Sequence, residues 1–425
     1  MRKLGFMFPG QGSQYVRMGK ALYDESKVAR EVFKIANEAL GLDIAKLCFE
    51  GDIEQLTKTE NAQPAILTAS VAAYRTYLDR NGIIPICAAG HSLGEYTALT
   101  ASGAIELSDA VKIVRKRGIF MQEAALAGEG LMAAVGDVDI AVIEKECIAE
   151  STTDNIVVIS NYNSSNQTVI SGHKNAVEKV GHKLEGMGAR VTYLKVSAAF
   201  HSPIMQQAAD KLKDELLKYK FNPLKFPVIS NVSAAPYEGV EQIVSNLTKQ
   251  LVQPVQWTKT MDYFVKKGIN IGVEMGPQNV LRNIVRKTVP SIKAFSYDNS
   301  EDIEALKEEL KPKANEPTVV TRSMAVAVCT RNFNWNNDEY QAGVSIPYKK
   351  IEQMQEEIEK SGQYPTVAQM EAALEMLKSV FETKRTPVEE QIERFEQIFN
   401  ETGTRHLFEN FVMPSEEKEY LISNN

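Results

Sequence analysis

The stretch Ala88-Ala89-Gly90-His91-Ser92-Leu93-Gly94-Glu95-Tyr96 runs from small apolar residues through G-x-S-x-G into a helical pattern. Strand, glycine-flanked serine and helix in that order make a nucleophile elbow, whose glycines permit the strained turn that lifts a serine hydroxyl into a pocket. The amides after Ser92 then open a helix, so the N–H of Leu93 is placed to stabilise an oxyanion. A serine nucleophile needs a base, and the chain has five histidines: His91, His173, His182, His201 and His406. His91 lies inside the elbow, His173 and His182 fall in a separate small subdomain, and His406 lies in an acidic C-terminal stretch. His201, in SAAFHSPIM at a strand-to-helix junction, is the base left by elimination.

Outward from the elbow, the first 300 residues alternate short apolar runs with helical patterns, the signature of an α/β domain with a largely parallel sheet. Strands are expected at Leu4 to Phe8, Ile84 to Ala89 and Val228 to Asn231, and helices at 104 to 126 and 203 to 219. Residues 128 to 196 differ. Apolar segments at Leu131 to Val135, Ile156 to Ser160, Gln167 to Ser171 and Val191 to Val196 interleave with helical patterns near 139 to 150 and 174 to 187. Four strands and two helices in this order predict a ferredoxin-like small subdomain inserted in the larger one. The expected fold is thus an α/β-hydrolase-like large subdomain (1–127 and 197–300), the insert (128–196) and a mainly helical C-terminal extension (301–425).

In that extension EELKPKANEP, with Pro312 and Pro317, reads as a linker, and the β-branched run Thr318 to Cys329 as a strand. Three helices follow. The first, about 347 to 361, aligns Ile351, Met354 and Ile358 and stops at Gly362. The second starts at Thr366 and stripes Met370, Leu374, Leu377 and Phe381. The third opens on a capping box at Thr386, Pro387 and Glu389 and buries Ile392, Phe395 and Phe399 before Gly403.

Composition narrows the classes. At 425 residues, 44% hydrophobic and 24% charged, the chain has the balance of an ordinary globular protein of about two or three folding units. No apolar run approaches membrane-spanning length, and MRKLGFMFPGQGSQ enters a glycine-rich turn rather than a signal-peptide core, so a cytoplasmic protein without membrane contact is expected. Cys48, Cys87, Cys147 and Cys329 form no CxxC pair, which suggests buried thiols and neither zinc site nor disulfide framework. Residues 301 onward hold 24 acidic and 14 basic side chains, a balance of −10, leaving +3 for residues 1 to 300 out of the total of −7. So small a basic excess is no nucleic-acid footprint. GQGSQ lacks the later lysine and hydroxyl of a phosphate cradle, and no metal or redox cofactor is implied.

FPGQGSQ, GHSLGEY, RGIFMQEA, NYNSSNQTVISGH, the His201 segment and QLVQPVQW occur in the order found in malonyl-CoA:acyl carrier protein transacylases, and residues 1 to 297 resemble that family. That family includes free-standing acyltransferases that load polyketide synthases, and with its long C-terminal extension the chain resembles these. The resemblance implies malonyl transfer from malonyl-CoA to the phosphopantetheine thiol of an acyl carrier protein, in polyketide or fatty acid biosynthesis. It implies Ser92 as nucleophile, His201 as base, Gln11 with Leu93 as oxyanion hole, and the Gln250 main-chain carbonyl as the group orienting His201. Arg117 matches the family's carboxylate clamp, where a planar guanidinium can bind malonate through two parallel hydrogen bonds. Gln63 and Asn163 match pocket positions, and Phe200 matches the aromatic residue preceding the histidine in malonyl-selective members. The extension is expected to serve association, with a synthase or a second copy.

Two rivals remain at this stage. A hydrolase of the same fold would trim acyl groups from carrier proteins but has little use for Arg117. A scaffold with a degenerate enzyme core would not be expected to keep Ser92, His201 and Arg117 together.

Overall fold

The computed structural model describes residues 2–126, 130–194, 198–311, 316–408, 411, 412 and 414. Contacts divide the chain into two compact units: Met1–Thr76 with Pro85–Glu304, and Tyr77–Ile84 with Ala305–Asn425.

In the first unit, β1 (Leu4–Phe8), β2 (Cys87–Gly90), β7 (Val228–Ile229), β8 (Ile271–Glu274) and β9 (Lys293–Ser296) form a parallel sheet in the order β7-β2-β1-β8-β9. Every residue of LGFMF in β1 is buried, as a central parallel strand covered on both faces requires. The expected strand at 84 to 89 thus starts later, and the one at 228 to 231 is shorter, releasing Ser230 and Asn231 from the sheet edge. The helix expected at 104 to 126 begins at Leu107, after a separate helix Leu93–Ala101 and a turn in which Gly103 has φ 82°. Residues 203 to 219 form a 3-10 turn, Pro203–Met205, and a helix, Gln206–Leu216.

The insert holds β3 (Gly130–Gly136), β4 (Val157–Ser164), β5 (Gln167–His173) and β6 (Arg190–Tyr193), an antiparallel sheet in the order β4-β5-β3-β6. Helices Ile140–Glu150 and Lys174–Gly186 connect its strands. This is the ferredoxin-like arrangement, with its own core of Ile143, Ile170, Val177, Val180 and Leu184. Residues 195 and 196 of the expected last strand lie outside the described residues.

The second unit corrects three expectations. Residues 318 to 329 are not a strand: Val319–Cys329 is a helix, opened by a capping box between Thr318 and Thr321. Its buried residues Val319, Val320, Ser323, Val326 and Ala327 recur at helical spacing, so burial of one stripe overrides the strand preference of valine and threonine. Second, the box at Thr366 forms with Gln369, but the one expected at Thr386 does not. Pro387 takes the N-cap place, so Thr386 stands one residue too early and its buried Oγ1 has no partner. Third, Cys329 is exposed, while Cys48, Cys87 and Cys147 are buried.

Helices Ile346–Ser361, Val367–Lys384 and Val388–Thr402 complete the unit, with Met370, Leu374, Leu377, Phe381, Phe395 and Phe399 in its core. Lys384 is 4% exposed and donates to the carbonyls of Ala327 and Thr330 at 2.8 and 2.9 Å, closing the C-terminus of the Val319–Cys329 helix. Burial lowers its ammonium from the ordinary lysine pKa. The first unit claims Asp302, whose carboxylate accepts from Arg282 Nε and Arg286 Nη2, both at 2.8 Å. Gly82 belongs to the second unit, where a Cβ would stand 3.1 Å from Met370 Cε. No described helix is long and apolar enough to cross a membrane.

Candidate active site

β1 and β2 are adjacent and in register, Phe8 opposite Gly90, so the turns leaving their C-terminal ends emerge side by side. Ligand sites in open α/β sheets gather at such strand ends. One turn carries Gln11 and the other carries Ser92. Ser92 holds φ 51° and ψ −106°, so the strain of the elbow sits on the nucleophile itself. The flanking glycines are needed for space: a Cβ on Gly90 would collide with the Gly94 backbone, and one on Gly94 with the Phe8 carbonyl. Leu93 is the first residue of the helix that follows.

His201, 5% exposed, places Nε2 2.8 Å from Ser92 Oγ. Its Nδ1 lies 2.7 Å from the Gln250 carbonyl oxygen, which can only accept, so the proton sits on Nδ1 and the Nε2 lone pair faces the serine. Burial first, and Arg117 second, push His201 down to about 3. The imidazole is therefore neutral and available as a base at any pH near neutrality.

Arg117, from the helix Leu107–Leu126, is 1% exposed. Its Nη1 donates to Gln63 Oε1 at 3.0 Å, and Nη2 donates to Ser92 Oγ and Gln250 Oε1, each at 3.0 Å. The guanidinium carbon lies 5.2 Å from the centre of the Tyr96 ring. Nε is buried without a hydrogen-bond partner. A guanidinium with an unmet donor beside a nucleophile is equipped to receive an anion.

A cavity of about 420 Å³ opens over Ser92 and His201, lined also by Gln11, Met132, Asn163 and Phe200, while Arg117 stands behind Ser92 and is not part of the lining. Asn163 Oδ1 lies 2.9 Å from His91 Nε2, tying β4 to the elbow. Gln63 does not line the cavity as expected. It is fully buried behind Arg117, with Nε2 3.4 Å from Met121 Sδ, because its carbonyl is taken by the guanidinium.

Several site residues escaped the sequence reading. Asn231 accepts from the Ser92 amide at 2.8 Å and donates to the Gly90 carbonyl at 2.6 Å, clasping both sides of the strained turn. Glu95, fully buried, accepts from Tyr237 Oη and from Gln250 Nε2, both at 2.6 Å. Its place three residues after Ser92, on the same helix face, was a signal; its partners 142 and 155 residues away were not. The side chain of Gln250 also went unread, although its carbonyl was named.

Residues 5–331 match the family model described as an acyl transferase domain. A malonyl CoA-acyl carrier protein transacylase of Bacillus subtilis is 38% identical over 396 residues, 92% of this chain and 99% of its own. That share exceeds the first unit, so the similarity extends into the second. The transacylase of Escherichia coli strain K12 is 42% identical over 299 residues, 70% of this chain and 96% of its own. Among solved structures, FabD from Acinetobacter baumannii superposes with a TM-score of 0.69 at 40% identity, covering 72% of this chain and 96% of that one. A malonyl-transacylase solved in complex with a type II polyketide synthase acyl carrier protein gives 0.70 at 36% identity, covering 72% and 99%.

Proposed function

The chain belongs to the malonyl-CoA:acyl carrier protein transacylase family and is an S-malonyltransferase of fatty acid or polyketide biosynthesis, and from that premise we propose that it works through a malonyl ester on Ser92. The observation that carries this reading is the 2.8 Å contact of Ser92 Oγ with a His201 whose other nitrogen is held by a backbone carbonyl.

His201 Nε2 takes the Ser92 proton as Oγ attacks the thioester carbonyl of malonyl-CoA. The amides of Gln11 and Leu93, on adjacent turns, receive the oxyanion. Collapse of the adduct breaks the carbon–sulfur bond, and His201 returns its proton to the departing thiol. The phosphopantetheine thiol of the acyl carrier protein then attacks the ester, giving its proton to His201, which passes it to Ser92 as the product thioester leaves. Arg117 serves both halves. Its Nη2, 3.0 Å from Oγ, favours the developing alkoxide, and its unpartnered Nε gives the malonyl carboxylate a place to bind. Coenzyme A thioester substrates go with a cytoplasmic setting. Mixing the protein with malonyl-CoA tests the scheme: intact mass should show one malonyl group on Ser92, released onto added holo-acyl carrier protein but not rapidly to water.

Phe200 borders the cavity beside His201, where its ring competes with any 2-substituent on the acyl group. Malonyl-CoA should outcompete methylmalonyl-CoA by roughly 10- to 200-fold, the range a single methyl permits. Paired loading from an equimolar mixture reads this directly, and Phe200→Ser should narrow the ratio.

The second unit serves association in this reading, with a polyketide synthase as the partner. Trp335 is 91% exposed and Val328 65%, large apolar surfaces on a segment whose net charge from residue 301 is −10. Truncation must spare Asp302 and its two arginines, so a cut after residue 311 is the informative one. That protein should keep malonyl self-loading and lose binding to the synthase in sedimentation. Loss of loading in a folded truncated protein would place the second unit in the reaction itself.

A further inference from the structure

Behind Ser92 and His201 lies a chain of buried polar groups that the reaction steps leave without a task. Glu95 accepts from Tyr237 on Oε1 and from Gln250 Nε2 on Oε2. The backbone N–H of Asn231 and the Ser230 hydroxyl also act on it as donors. Gln250 Nε2 donates in addition to the Ser92 carbonyl at 2.9 Å and faces Asn231 Oδ1 at 3.3 Å, while Gln250 Oε1 accepts from Arg117 Nη2 at 3.0 Å. Every neighbour of Nε2 is an acceptor. The amide therefore cannot turn over without setting oxygen against oxygen at one end and nitrogen against the guanidinium at the other.

We propose that Glu95 is a positioning residue for acyl-group choice, which fixes the Gln250 amide and through it aims the Arg117 fork at the substrate carboxylate. The proposal rests on the reading of Arg117 as the carboxylate clamp. Arg117 is held at two ends, Nη1 by Gln63 and Nη2 by Gln250 and Ser92 Oγ. Once malonyl occupies Ser92, Oγ is esterified and its hold on Nη2 weakens, so Gln250 becomes the fixed support on that side. Without the 2.6 Å bond to Glu95, Gln250 Nε2 keeps only the Ser92 carbonyl and the longer Asn231 contact, so the fork can shift about Gln63, and two parallel hydrogen bonds to a carboxylate require its plane to be set. An acetyl group has no carboxylate and uses Arg117 only through the contact of Nη2 with Ser92 Oγ. A loosened Arg117 thus harms malonyl loading far more than acetyl loading, which a merely structural defect would not do.

The test measures initial loading of Ser92 from malonyl-CoA and from acetyl-CoA by intact mass, in the native protein and in Glu95→Ala, Glu95→Gln and Arg117→Ala. Glu95→Ala should lower the malonyl-to-acetyl ratio roughly tenfold or more, the size of a lost buried hydrogen bond in a charged network. Glu95→Gln keeps an acceptor for Gln250 and a donor towards the Tyr237 oxygen, and should stay within about threefold of native. An unchanged ratio in Glu95→Ala, with a collapsed one in Arg117→Ala, overturns the proposal and leaves the clamp standing. An unchanged ratio in Arg117→Ala overturns the clamp and the proposal with it. Parallel loss of both acyl groups in Glu95→Ala makes Glu95 structural and also overturns it. Should Glu95→Ala fail to fold, Gln250→Met cuts the same link from its other end, and an unchanged ratio there is equally fatal.

Discussion

Ser92→Ala protein incubated with malonyl-CoA should keep its unmodified mass, and transfer to an acyl carrier protein should fall to the uncatalysed rate. No second nucleophile is available to take over: the only protein groups within hydrogen-bond distance of Ser92 Oγ are His201 Nε2 and Arg117 Nη2 among the described residues. The three buried thiols are poor substitutes, since burial pushes Cys87 and Cys147 up to about 12 and Cys48 higher still. His201→Ala should still form the ester but roughly 10²- to 10⁴-fold more slowly, the usual worth of a positioned base. Malonyl mass on Ser92→Ala protein would end the ester mechanism.

Arg117→Ala should lower malonyl loading relative to acetyl loading by about 10²- to 10⁴-fold. A carboxylate brought into this pocket without its cation loses roughly 3–5 kcal/mol, as when one partner of a buried ion pair is removed. Equal losses for the two acyl groups would end the carboxylate clamp and leave Arg117 only its contact with Ser92 Oγ. The same variant should change the pH profile. In the native protein burial and the Arg117 charge both disfavour imidazolium, and His201 lies near 3, so kcat/KM for loading should show no acid limb at the ordinary histidine pKa. A base with a depressed pKa stays competent until the pH falls towards that lowered value. Removing Arg117 removes the second largest of the lowering causes, so the acid limb should move upward towards the histidine range. Stopped-flow loading between pH 4 and about 8 with acetyl-CoA, which does not need the clamp, reads the shift cleanly.

Much of this site was legible because its signals are local. The elbow is five consecutive residues whose sterics admit glycine and little else, and it sits in sequence between a strand and a helix, as the structure places it. The insert announced itself through four alternating strands and two helices, each written in its own periodicity. Where local preference and burial disagreed, the sequence misled. Val319–Cys329 carries β-branched residues throughout yet is a helix, because its apolar side chains recur at helical spacing and a core of Leu374, Leu377 and Phe381 takes them up. Thr386 offered a capping box that Pro387 pre-empted.

The sequence by itself pointed to the groups of the proposed chemistry: a serine on a strained turn, a histidine left by elimination, an arginine proposed for the carboxylate and an α/β frame to carry them. Only the tertiary structure decided how these groups are held. Gln250 meets Ser92 across 158 residues, Tyr237 meets Glu95 across 142, and Asn231 reaches back 141 to Gly90. No pattern of spacing encodes such pairs. Hydrogen bonds between side chains far apart in the chain exist only once packing has excluded water and brought donor to acceptor, so their partners are chosen by the fold rather than by their neighbours in sequence.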